Sequence, residues 1–233
     1  MQPVIDILQS TGVFLGGVFA RFGMFLVMLA VLVVPALLAA LVIRAAQARE
    51  RRRLGLRSVA GVLFRPGVAY APGHTWVARR KGGTLALGID DIAERLLPAV
   101  TLVELPRAGT RVARGETLAT LHGGGREVKI RAPFPGVVAG VNAAVLRDPA
   151  LVKRDFYGKG WLVALSPADG TWASLPEGPA AESWLAKESA RWSRYLEERL
   201  GFAAADGGEL LAPAPWLIGE EGWQQLASTF LTV

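Results

Sequence analysis

The chain has 233 residues, 52 % of them hydrophobic, with a formal charge of +6 and no cysteine. That length holds one domain of ordinary size beside an anchor and a tail. The missing thiols exclude disulfides, thiolate-held iron–sulfur clusters, attached c-type haem and cysteine nucleophiles, and two histidines, His74 and His122, are too few for a histidine-rich metal centre.

The hydrophobic excess sits at the start. Residues 7–20 form an apolar stretch ended by Arg21, too short to cross a bilayer alone, so it either extends a membrane helix or lies at the interface. Gly12, Gly16 and Ala20 recur at every fourth position, which puts small residues on one helix face and permits close approach of another helix; glycine is also simply common in membrane helices. From Phe22 to Ile43 no charged residue occurs. At 1.5 Å per residue this run reaches about 33 Å, enough for a hydrocarbon core of about 30 Å. Pro35 removes one backbone donor inside the span.

Asp6 precedes the apolar run and the basic cluster follows it, the reverse of a cleaved signal peptide, so the helix is expected to be retained. Arg44, Arg49, Arg51, Arg52, Arg53 and Arg57 stand against Glu50 on its C-terminal flank. The positive-inside bias then places the N-terminus outside and the rest of the chain in the cytoplasm, as a single-pass protein of a bacterial-type cytoplasmic (inner) membrane. The same arginines, from Arg44 to Arg57, account for much of the net charge and are expected to touch anionic headgroups. Nucleic acid is not expected as a partner.

Residues 58–71, with Pro66 and Gly67, read as a linker, and residues 1–57 as the anchor. Short strands follow, among them 74–79 and 84–89 around Gly82 and Gly83, then 100–105, 111–112, 117–121, 127–131, 136–141 and 161–165, with glycine or proline at nearly every corner. Asp90 and Asp91 open one short helix that ends before Pro98; capping explains these aspartates better than metal ligation with His74. A weak repeat, 109–118 against 136–145, suggests two intertwined hairpins. From Pro179 the period changes to helix, with Leu185, Ser189, Trp192, Leu196 and Leu200 on one face and Gly201 as a stop. The tail, 201–233, carries a further helix from Gly219 to Phe230 with Trp223, Leu226 and Phe230 on one side. Such aromatics need a surface, either the barrel's or a partner's, and Trp216, Trp223 and Phe230 are expected to contact a partner.

Several of these segments resemble the H protein of the glycine cleavage system. The resemblance is carried by His74-Thr75-Trp76-Val77, by the run from Gly88 to Pro106, by the corner Ala132-Pro133-Phe134-Pro135-Gly136, and by Asp155-Phe156-Tyr157-Gly158-Lys159-Gly160-Trp161-Leu162, where Phe156 stands for the family's proline. It covers residues 72–200 and implies a mainly-β barrel-sandwich hybrid (lipoyl-like) domain; with the apolar run and the helical periods read above, the fold class is an N-terminal transmembrane α-helix plus that domain with C-terminal helices. In that family the lipoyl-bearing lysine stands seven positions ahead of the corner alanine, which here is Gly125. Lipoate is held by an amide to a lysine amine, and glycine has none. By the resemblance, then, no lipoyl attachment is expected, and His122, Gly123, Gly124, Gly125 and Arg126 become a hairpin tip available for binding.

No nucleophile with a base and no convergent pair of carboxylates is legible, so the chain is read as non-catalytic, with no cofactor and no metal. The expected function is a membrane-anchored accessory subunit of an integral membrane complex, electron-transfer or energy-transducing by analogy, with a retired carrier domain as its cytoplasmic docking module. Integral membrane subunits are its expected partners, in a hetero-oligomer. Two alternatives stand beside it: a membrane-tethered lipoyl carrier of one-carbon or sulfur metabolism that uses Lys129, and a periplasmic adaptor of an efflux system. The second needs the domain outside and a coiled-coil hairpin that the sequence lacks.

Overall fold

A computed structural model describes residues 2–53, 55–96, 99–201 and 218–233. The chain divides into two compact units, Met1–Arg53 and Leu54–Val233. The first is one helix, α1 (Gln2–Arg53), with Pro35 inside it. Its segment Arg21–Ile43 has a mean hydropathy of 3.1 and none of it is buried by the protein. A helix that is apolar all round and covered by nothing is long and apolar enough to cross a membrane. Residues 7–20 continue the same helix, and Gly12, Gly16 and Ala20 fall on one stripe of it by the helical repeat.

The second unit runs β1 (Arg57–Val59), β2 (Val62–Phe64), β3 (Ala69–Ala71), β4 (Thr75–Arg79), β5 (Leu85–Ile89), α2 (Asp91–Leu96), β6 (Leu102–Glu104), β7 (Arg111–Val112), β8 (Thr117–Gly123), β9 (Arg126–Arg131), β10 (Gly136–Val141), α3 (Ala143–Arg147), α4 (Leu151–Arg154), β11 (Val163–Pro167), α5 (Pro179–Leu200) and α6 (Glu220–Phe230). Six strands form one sheet in the order β3-β4-β5-β11-β10-β7, three form another in the order β6-β8-β9, and β1 pairs with β2. The repeat read in the sequence corresponds to pairing of β7 with β10, Gly136 opposite Val112 and Val137 opposite Arg111. One apolar core joins the sheets to α2, α5 and α6, with Leu87, Leu121, Ile130, Phe134, Leu165 and Trp192 inside it.

The reading of 58–71 as a linker is corrected by the fold. β1, β2 and β3 lie in that span, and Val62, Phe64, Val68 and Tyr70 are buried. Polar anchors explain why such short strands hold. Asp91 accepts from the Leu63 N–H at 3.0 Å and from Arg95 at 2.8 Å, while the Tyr157 hydroxyl donates to the Leu63 carbonyl at 2.9 Å. The two bonds to Leu63 close part-buried backbone groups that a free linker would leave to water, and Arg95 holds Asp91 in place to make one of them.

The helix caps follow the sequence. Asp90 accepts the N–H groups of Ile92 and Ala93 at 2.9 and 3.0 Å, opening α2. Gly201, at φ 66, closes α5 in the left-handed conformation. Asn142 caps α3 through Ala144 and donates to the carbonyls of Lys159 and Trp161 at 2.7 and 2.6 Å. The segment 155–162 is thus a stitched loop that holds β10 beside β11.

Candidate docking site at the hairpin tip

The three glycines of the β8–β9 tip have separate causes. Gly124 and Gly125 are the two central residues of the turn, at φ 61 and 76, and two successive left-handed residues are what a two-residue hairpin of type I′ demands. A side-chain carbon built at Gly125 would meet nothing within 4 Å. Gly123 is different: it is buried, and a carbon there would collide with the Ala99 carbonyl oxygen. The segment just ahead of β6 presses on it, with the Thr101 N–H donating to the His122 carbonyl at 2.8 Å.

The other two tip residues are engaged from the sides. His122 is half-buried on β8, its Nε2 3.2 Å from a Glu104 carboxylate oxygen. That atom makes no hydrogen bond among the described residues. Arg126 is 10 % exposed; its guanidinium lies 5.1 Å over the Trp223 ring, donates to the Ile218 carbonyl at 3.0 Å and sits 3.5 Å from Glu220. Of the five tip residues, Gly124 and Gly125 face solvent fully, and His122 and Arg126 do so in part. Lys129 stands on the exposed side of β9, not at the apex, with its ammonium 3.0 Å from Glu127.

Two of the expected partner contacts are corrected. Trp223 and Phe230 are each 2 % exposed within this unit. The Trp223 indole N–H donates to the Leu96 carbonyl at 2.9 Å, and Phe230 packs at 5.0 Å from Trp192 and 5.8 Å from Tyr195. The apolar face of α6 therefore finds cover on its own domain, which satisfies the aromatics without a partner. Trp216 lies outside the described residues.

Beneath α6 is a charged cluster that the sequence did not reveal. His74, fully buried and at φ 56, holds Nδ1 2.9 Å from Asp90 and Nε2 3.6 Å from Glu188 on α5. Burial alone would lower its pKa, but the charge of Asp90, the hydrogen bond to it and Glu188 together raise it to about 9. The hydrogen bond from His74, against the opposing effect of burial, leaves Glu188 below the ordinary glutamate value. The imidazolium is a strut between β4, α2 and α5. Among the described residues, no group of three or more histidines and carboxylates is arranged to hold a metal ion.

The family model described as "Glycine cleavage H-protein" matches residues 68–188. The "Glycine cleavage system H protein" of Shewanella loihica is 37 % identical over 100 residues, covering 43 % of this chain and 78 % of that protein. The "Probable glycine cleavage system H protein" of Aeropyrum pernix is 37 % identical over 120 residues, covering 50 % and 83 %. The crystal structure of a glycine cleavage system H protein from Mycobacterium marinum is similar at 26 % identity, with a TM-score of 0.46, covering 52 % of this chain and 98 % of that one. Both α1 and α6 lie outside the matched residues.

Proposed function

Because the chain belongs to the glycine cleavage H-protein family, whose domain is a carrier and not itself catalytic, we propose that it is a membrane-anchored, non-catalytic accessory subunit in which that domain has become a docking module without a prosthetic arm. The observation that carries this reading is the glycine pair at the apex of β8–β9. Gly125, where the family's resemblance sets the lipoyl-bearing lysine, forms the solvent-facing half of a left-handed turn and offers no amine. The nearest lysine, Lys129, is turned along the strand and paired with Glu127.

The apolar helix supplies the anchor, and the arginines on its C-terminal flank favour a cytoplasmic domain that touches anionic headgroups. With Trp223 and Phe230 spent on the domain's own core, docking falls to the hairpin tip and to the stripe of Gly12, Gly16 and Ala20 on α1. The partners in this reading are integral membrane subunits of a hetero-oligomeric complex, electron-transfer or energy-transducing by analogy with assemblies that use such subunits.

Extraction of the native protein in mild detergent tests this. Stoichiometric recovery of integral membrane subunits is the expected result; a monodisperse monomer at native abundance overturns it. A reporter fused after Val233 is expected to be active on the cytoplasmic side.

A further inference from the structure

β9 is an edge strand of the three-stranded sheet, and it borders a cavity of about 400 Å³ whose opposite wall is α6. The pairing register fixes which backbone groups face that cavity. Gly123 pairs with Arg126 across the two-residue turn, Leu121 with Val128 and His122 with Glu127. In such a hairpin the pair flanking the turn exchanges hydrogen bonds and the next pair does not. Glu127 and Lys129 therefore turn their N–H and C=O groups away from β8, toward the cavity. Among the described residues nothing bonds to those groups. The hydroxyls along the opposite wall are spent on the C-terminal segment's own backbone, Ser228 on Gln225 and Thr232, just past α6, on Ser228.

Side chains grade the groove. On the facing side Ala227 is partly exposed, while Trp223 and Leu231, themselves buried in the core, form only the floor of the groove. Charges at the tip end cancel, Lys129 with Glu127 and Arg126 with Glu220. At the far end Arg131 donates to the Gly115 carbonyl at 3.0 Å and has no carboxylate partner among the described residues, so one positive charge stands uncompensated. An unpaired strand edge and a lone cation beside it match the requirements for adding one strand of peptide to a sheet, with backbone pairing for affinity and charge for selectivity.

We propose that the groove between β9 and α6 binds an extended peptide segment of a partner protein, which pairs with the outward backbone groups of Glu127 and Lys129 and sets an acidic side chain against Arg131. One wall comes from the family domain and the other from the C-terminal helix beyond the family's matched residues, so the groove belongs to this chain's additions. The inference deepens the docking reading and rests on it.

The test is selection of a random heptapeptide library on the full chain in detergent micelles, followed by hydrogen exchange on the best binder. Expected are binders sharing an acidic residue, slowed exchange at the Glu127 and Lys129 amides, and loss of affinity of about tenfold or more in Lys129→Pro, which deletes one outward donor and leaves the ladder to β8 intact. Arg131→Glu is expected to reverse the selected charge. If Lys129→Pro fails to fold, the exchange pattern of the native chain decides. Binding that leaves those two amides unchanged, or selection that yields no binder, overturns the proposal. Neither result touches the docking reading, which a covalently attached lipoyl group would remove by itself.

Discussion

The guanidinium of Arg126, the first residue after the hairpin turn, lies 5.1 Å over the indole of Trp223 on α6. This stack, with the bond from Arg126 to the Ile218 carbonyl, couples the tip to the C-terminal helix. Replacing Arg126 by Ala removes a partly desolvated cation–π contact and a charge-assisted hydrogen bond, each of order 1–2 kcal/mol. Residues 218–233 are expected to exchange amide hydrogens faster in that variant, while α2 and α5 keep their protection.

Trp223 carries more. Trp223→Ala empties a fully packed site and orphans the Leu96 carbonyl, a loss expected at about 3–5 kcal/mol by denaturant titration. A partner-facing tryptophan, by contrast, would leave the stability of the isolated chain unchanged when truncated.

Two neighbouring glycines should respond differently to alanine. Gly123→Ala drives a methyl into the Ala99 carbonyl, and overpacking against rigid backbone is expected to cost about 3 kcal/mol or more. Gly125→Ala meets open space and pays only the left-handed backbone penalty, about 1 kcal/mol. Thermal melts of the two variants check the ordering.

The His74 strut gives the stability a defined pH dependence. Its folded pKa, about 9, exceeds the ordinary 6.5, so its contribution is fully present below pH 6.5 and is lost as pH rises through about 9. Glu188 is depressed; its contribution is present above its ordinary value and is lost as pH falls through the lowered one. The melting temperature is expected to fall between about pH 6.5 and 9 in the native chain and to flatten there in His74→Gln.

The parts of the fold legible in the sequence were those written in local chemistry. β7 and β10 keep the bounds that glycine and proline corners suggested, and α5 ends at Gly201 because only a residue tolerant of positive φ fits that stop. α3 and α4 were not legible, since each is too short for an apolar period; α3 hangs on the Asn142 cap and its bonds to distant carbonyls, and α4 has no side-chain cap. The strands of 57–71 were hidden for the same reason: Leu63 is held by Asp91 and Tyr157, partners far along the chain. At the tip, the glycine run was visible, but the collision that reserves Gly123 for glycine and the capture of Arg126 by Trp223 arise from folding. An amphipathic α6 states that its aromatics need cover and leaves open whose surface provides it.

A hairpin apex built on Gly124 and Gly125 offers no amine to which a prosthetic arm could be joined. Intact mass spectrometry of the full chain, purified from membranes of a host able to lipoylate its own proteins, measures this directly. The unmodified mass is expected; a covalent lipoyl addition, on Lys129 or any other residue, would overturn the reading of this domain as armless.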